Sequence, residues 1–222
     1  VPFYEVGAKK ILKNCLKRNL ITTTNDLKTI KNSKYIIVCI GTPIDSKLKP
    51  ETKAFLSFFR KLLKFLHKDQ LIIIRSSVYP GVIKKIGKFY KQRQKNIVYC
   101  PERIVQSKAL IELPKLPQIV SGFDSKNINL AKKLFAKICG EIIETSVLEA
   151  ELIKLFSNAN RYINFSIANQ LYIICNHFEL DFKRVREIMR NGYERNLNLS
   201  NSGFTAGPCL LKDTMQLTSF YK

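Results

Sequence analysis

Five short runs of apolar residues, each closed by turn residues and most separated by helix-like stretches, constrain this chain more than any other feature. They are Tyr35-Ile-Ile-Val-Cys-Ile40, Leu71-Ile-Ile-Ile74, Ile97-Val-Tyr-Cys100, Gln118-Ile-Val-Ser121 and Glu141-Ile-Ile-Glu144. A continuous apolar run bounded by turns describes a strand buried on both faces, as in a parallel sheet covered by helices. Helical spacing occupies residues 7–19 and recurs around 52–67, 81–93 and 125–139. Strands alternating with helices predict a doubly wound α/β domain. Ligands of such sheets sit beyond the carboxyl ends of the strands, so the loops after each run carry the functional question.

Those loops are Gly41-Thr-Pro-Ile-Asp45, Arg75-Ser-Ser-Val-Tyr-Pro-Gly81 and Pro101-Glu-Arg103. Thr42 and Ser77 offer hydroxyls. Pro80 and Gly81 open a helix whose first amides can face a phosphate. Glu102, directly after a strand, can act as a general base or orient a water. Each loop taken alone reads as a satisfied turn or cap; three at corresponding strand ends point to a ligand.

From Ser146 no Gly or Pro interrupts the chain until Gly192, which predicts a long helix with a restart near Asp181. Ser146 and Glu149 have the spacing of a capping box. Leu148, Leu152, Leu155, Phe156, Ala159 and Ile163 make an apolar stripe, expected to pack against the α/β domain or a second subunit. Lys154 and Asn158 are one turn apart on one face. Such a pair reads either as a solvated polar face or as a cation and amide placed to stabilise an oxyanion.

The stretch from Gly203 to Asp213, Gly-Phe-Thr-Ala-Gly-Pro-Cys-Leu-Leu-Lys-Asp, brings a thiol, an ammonium and a carboxylate together on a small-residue turn. A thiolate is a strong nucleophile where its charge is stabilised, and Lys212 with the amides of a following helix can do this for Cys209. The alternative is a buried cysteine acting as a small hydrophobe.

Composition narrows the remaining classes. At 222 residues, with 45% hydrophobic and 25% charged residues, the chain can bury a real core. Its formal charge of +21 favours anionic partners. The lysines are nevertheless scattered, as at Lys9, Lys10, Lys13 and Lys17, and no basic cluster with interleaved aromatics supports nucleic-acid binding. Six spaced cysteines without a Cys-x-x-Cys, and only two histidines, argue against a zinc site or disulfide framework and fit a reducing cytoplasm. No apolar run approaches the ~20 residues of a membrane span, and no signal-peptide pattern is present. A chain that begins at Val1 and stops within a helical pattern reads as a fragment. A basic helical scaffold built on residues 146–191, or a nucleic-acid-binding module, are the non-enzymatic alternatives.

Thr42-Pro43, Arg75 to Gly81, Cys100-Pro-Glu-Arg-Ile104, Glu149 to Asn158 and Gly207 to Asp213 occur in one order. Together these blocks resemble the UDP-glucose/GDP-mannose dehydrogenase family across essentially the whole chain. The resemblance implies NAD-dependent oxidation of a sugar C6 alcohol to a uronic acid in two hydride transfers. It implies that Cys209 attacks the intermediate aldehyde, giving a thiohemiacetal that is oxidised to a thioester and hydrolysed. Lys154 and Asn158 match the oxyanion-stabilising pair, Asp213 the carboxylate that assists proton transfer through water, and Glu102 the base of hydrolysis. Ser77 keeps a hydroxyl where the family often has Thr. Thr42, Ser77, Glu102 and Lys212 match positions that touch the dinucleotide. Residues around 98–102 and 198–202, with Ala206, match loops lining the sugar nucleotide. A 3-hydroxyacid type dehydrogenase shares the architecture but uses a lysine without the cysteine, and Cys209 argues against it.

The departures are specific. The Gly-x-Gly-x-x-Gly turn and acidic ribose-binding residue are not found and are expected before Val1; the family's C-terminal domain is expected beyond Lys222. Ala206 replaces a glycine, and Asn169-Gln170 stands where Asn-Glu is typical. Pro101 to Ile104 resembles the branches acting on UDP-N-acetylhexosamines, whereas Cys209 to Asp213 is closer to the UDP-glucose branch. The expected architecture is a partial Rossmann-like domain over residues 1–145, then a helical central domain over 146–222 that in this family forms the dimer core. The fragment alone is expected to be inactive.

Overall fold

The structure, a computed structural model, describes residues 4–205 and 207–219. The chain divides into two compact units, Val1–Thr42 with Glu51–Lys154, and Pro43–Pro50 with Leu155–Lys222.

The first unit is built on a sheet of β1 (Tyr35–Val38), β2 (Leu71–Ile74), β3 (Ile97–Tyr99), β4 (Gln118–Gly122) and β5 (Ile142–Glu144), hydrogen-bonded in that order. Its helices are α1 (Ala8–Lys17), α2 (Thr52–Leu63), α3 (Val82–Tyr90), the single turn α4 (Ala109–Glu112) and α5 (Ser125–Phe135). Every residue of β2 and β3 is buried, and the strand period of two divides them between two cores. Ile72, Ile74, Ile97 and Tyr99 pack in one cluster with Phe55, Phe59 and Leu62 of α2 and Ile83 and Ile86 of α3. Leu71, Ile73 and Val98 pack in the other with Ala131 and Phe135 of α5. Cover on both faces is why these runs contain no polar alternation.

The sheet is mixed. β1 to β3 are parallel and β4 pairs parallel with β5, as expected, but β3 and β4 pair antiparallel, with Tyr99 opposite Ser121. A parallel return needs a crossover, usually a helix lying on the sheet. The segment between β3 and β4 holds only the one turn of α4, with Pro114 and Pro117 following it, so no such helix forms.

The long helix α6 spans Val147–His177 and the chain restarts in α7 (Phe182–Arg190), then ends in α8 (Gly207–Thr218). Ser146 and Glu149 form the expected capping box: Glu149 N–H donates to Ser146 Oγ at 3.3 Å, and Ser146 N–H donates to the Glu149 carboxylate at 2.9 Å. Hydrogen bonds from Thr145 and Ser146 hold the Glu149 carboxyl down at about 2. Glu179 takes a positive φ of 55° after α6, and Asp181 caps α7 by accepting from Lys183 N–H. The expected stripe is only partly inward: Leu155 and Ala159 are buried, but Leu148, Phe156 and Ile163 are exposed. The inward face of the first turns is instead Ala150, Glu151, Leu155, Asn158 and Ala159.

Glu151 accounts for one further correction. Its carboxylate accepts from Gly81 N–H at 2.7 Å and Ile83 N–H at 2.9 Å, so it caps the start of α3. The amides expected to face a phosphate are therefore engaged by the protein. Burial pushes the Glu151 carboxyl above the usual carboxylate range, with the two amides opposing that shift. Glu151→Ala is expected to destabilise the first unit by about 2–4 kcal/mol, through one buried and one half-buried amide left without an acceptor, and Glu151→Gln by less. Urea unfolding with amide exchange at Ile83 measures this, and an unchanged midpoint would contradict it.

Candidate active site

Cys209 lies in the first turn of α8 and is exposed. The buried-hydrophobe alternative for this cysteine does not hold. Cys100 and Cys139 do have that character: both are buried, and burial pushes the Cys100 thiol up to about 12 and the Cys139 thiol upward. Lys212 and Asp213 follow Cys209 by three and four residues, which places all three on one side of α8.

Asp213 is only 1% exposed, and each of its oxygens has a neighbour of opposite or complementary polarity. Its Oδ1 lies 2.8 Å from Lys212 Nζ, and its Oδ2 accepts from Asn158 Nδ2 at 2.6 Å. The structure thus brings together Asn158, Lys212 and Asp213 in the second unit. Lys154 lies one turn before Asn158 on α6. Ala206, matched to the sugar-nucleotide loop, lies outside the described residues.

The strand-end loops form a second group, in the first unit. Thr42 Oγ1 donates to the Ser77 carbonyl at 2.5 Å, tying the loops after β1 and β2 together. Glu102 is ion-paired with Arg75, and its Oε1 accepts from the amides of Arg103 at 2.7 Å and Ile104 at 3.0 Å. The Arg75 guanidinium also donates to Gln118 Oε1 at 3.0 Å and lies 4.9 Å from the centre of the Phe135 ring. Burial lowers the Arg75 pKa. Glu102 is therefore a carboxylate held in one orientation.

Sequence reasoning assigned no role to Arg75, Glu151, Asn169 or Arg186. For Arg75 a signal existed, because an arginine following an all-apolar strand requires a counter-charge, and Glu102 stands in the loop after the neighbouring strand. For Glu151 the signal was an acid on the inward face of a helix. Asn169 and Arg186 bind backbone carbonyls in a loop, which leaves no pattern in the sequence.

The NAD expectation can be judged from these residues. Polar groups stand at the ends of three adjacent strands, the position of a dinucleotide crevice. A Cβ placed on Gly41 would meet no heavy atom within 4 Å, which leaves the end of β1 open to a ligand. The residues fit part of such a site, with the α3 amides excluded. Among the described residues no group of His, Cys, Asp and Glu could hold a metal ion, and no helix is long and apolar enough to cross a membrane.

Residues 1–139 match the NAD binding domain of the UDP-glucose/GDP-mannose dehydrogenase family, and residues 148–222 match its central domain. The chain belongs to this family. Its relatives include a UDP-N-acetyl-D-mannosamine dehydrogenase of Pyrococcus horikoshii, 24% identical over 94% of this chain and 51% of that protein. A UDP-N-acetyl-D-glucosamine 6-dehydrogenase of Salmonella typhi is 24% identical over 97% of this chain and 56% of its own. Among solved structures, a UDP-D-ManNAc dehydrogenase from Pyrococcus horikoshii superposes with a TM-score of 0.89 at 25% identity, covering 100% of this chain and 55% of that one. A UDP-glucose dehydrogenase from Pyrobaculum islandicum shares the fold, with a TM-score of 0.84 at 19% identity over 98% of this chain and 53% of that one. The chain spans about half the length of the curated relatives it matches.

Asn158→Ala leaves the buried Asp213 without its amide donor. A loss of about 1–3 kcal/mol from the second unit is expected. Thermal and urea unfolding measure it, and wild-type stability would show that the Asn158 bond is dispensable.

Proposed function

We propose that the intact protein oxidises the C6 alcohol of a nucleotide-activated hexose, a UDP-N-acetylhexosamine or UDP-glucose, to the uronic acid, with Cys209 as covalent nucleophile. The observation that carries the reading is an exposed Cys209 in the first turn of a helix, with Lys212 and Asp213 on the same side and the Asn158 amide on Asp213. The named activities of the relatives support the substrate class.

When bound, NAD accepts the hydride in each of the two oxidations. The first turns the alcohol into an aldehyde, and its hydroxyl proton leaves through water to Asp213. The Cys209 sulfur then adds to the aldehyde carbon, and Lys154 and Asn158 are assigned to stabilising the resulting oxyanion. Asn158 has the capacity for this, since Nδ2 carries two hydrogens and Asp213 takes one. The thiohemiacetal provides a carbinol for the second hydride, leaving a thioester on Cys209. Glu102 orients the hydrolytic water and takes its proton; C–S cleavage returns the thiol and releases the acid. The alcohol, two NAD and one water yield the carboxylate, two NADH and three protons. Thr42 and Ser77 shape the cofactor loops, and Lys212, which holds Asp213, is assigned to cofactor binding by the family match alone.

The test incubates the intact protein with NAD and a panel of UDP-hexoses and UDP-N-acetylhexosamines. About two NADH per sugar is expected, with acid formation abolished by Cys209→Ala. The sugar consumed names the substrate. The 222 residues alone are expected to show no turnover. No NADH from the intact protein with any sugar, or full acid formation without the thiol, would return a helical scaffold to the front.

The partner proposed for α6 is a second copy of the chain. Phe156, Ile163, Ile167 and Ile174 are exposed at 52%, 54%, 47% and 53%, in the seven-four-seven spacing of a helix seam. Such a seam on a 31-residue helix is self-complementary. Light scattering is expected to give a dimer for wild type and a monomer for Ile167→Lys; a monomeric wild type would overturn this.

A further inference from the structure

We infer that Asn169 is a positioning residue for Cys209, acting through the backbone of Gly203; this rests on the reading of Cys209 as the nucleophile. Asn169 Nδ2 donates to the Gly203 carbonyl at 2.9 Å, and Gly203 N–H donates to Asn169 Oδ1 at 2.8 Å. One side-chain amide thus takes both backbone polar groups of one residue, in the manner of a peptide partner in a sheet. Gly203 has a φ of +143°, a conformation that favours glycine.

The surroundings show why this pair matters. Phe204 is fully exposed, so the apolar side chain beside Gly203 anchors nothing. Upstream, Arg186 Nε donates to the carbonyls of Leu199 at 2.8 Å and Ser200 at 2.9 Å, which holds the start of the same loop. Downstream, Asn158 holds Asp213. Gly203 and Asp213, which flank Cys209 in sequence, are each tied to α6 by a side-chain amide. Asn158 and Asn169 are about three helical turns apart, which returns them to one face of α6 at a separation of roughly 16 Å. α6 therefore acts as the ruler against which the thiol is placed.

The residue type follows from the task. Aspartate offers acceptors only and would face the Gly203 carbonyl with a charge; serine is too short, and glutamine is a methylene too long. A loosened Gly203 leaves the thiol less often in the attacking geometry. The first oxidation does not use the thiol, so the aldehyde still forms and the second oxidation slows.

The experiment compares wild type, Asn169→Ala and Asn169→Asp in the intact protein. Exchange at the Gly203 amide is expected to accelerate on the order of tenfold to a hundredfold in Asn169→Ala. The kcat for acid formation is expected to fall by a similar factor, KM to stay within about threefold, and a hydrazine to trap released aldehyde, so that NADH per acid formed rises above two. Asn169→Asp, keeping the bond from Gly203 N–H, is expected to lie between. Iodoacetamide alkylation of Cys209 is expected to change rate in the same order as the exchange. Wild-type kcat and alkylation in Asn169→Ala overturn the inference, and so does an activity loss that tracks a lowered melting temperature without faster Gly203 exchange. If wild type turns over no sugar, the enzymatic reading fails, and exchange with alkylation decides the clamp alone.

Discussion

The Glu151 carboxylate on the first amides of α3 is the interaction on which the first unit most depends. It joins elements far apart in sequence, from the loop after β2 to the second turn of α6, at a position that is 1% exposed. A carboxylate buried there is costly unless its oxygens are engaged, and a helix start supplies both hydrogen-bond donors and a favourable dipole end. The same contact saturates the amides that would otherwise make a ready anion site. A strand-loop-helix of this kind can bind phosphate or it can be capped from within, and here it is capped.

The chemistry proposed for the site rests on residues whose freedom has been removed. Glu102 is oriented by Arg75 and two loop amides, Asp213 by Lys212 and Asn158, Gly203 by Asn169, and Leu199 and Ser200 by Arg186. Catalytic placement within a fraction of an ångström requires such supporting contacts. The thiol itself is left exposed, while Cys100 and Cys139 are buried where ionisation is unfavourable.

Much of the candidate site was legible because it is written in local spacing. The thiol, ammonium and carboxylate of α8 fall within five residues, and Lys154 and Asn158 within one helical turn. The capping box of α6 is likewise a four-residue pattern. Less legible were the partners of the strand-end loops. Nothing near Glu102 in sequence announces Arg75 or Gln118, and nothing near Gly203 announces Asn169. Such pairs are made by chain reversals that place distant residues together, and a hydrogen bond to a backbone carbonyl requires no particular residue type at the acceptor.

By itself the sequence determined the alternation of strands and helices, the start and restart of the long helices, and the chemical groups on α8. These depend on apolar periodicity, capping side chains and the absence of helix breakers, all of which act within a few residues. Tertiary structure decided the antiparallel pairing of β3 with β4, the closing of the α3 amides by Glu151, and which face of α6 turns inward. Each of these is a choice between alternatives of similar local energy. It is settled only when distant segments pack, because the competing cost of a buried unpaired amide or carboxylate exists only in the folded chain.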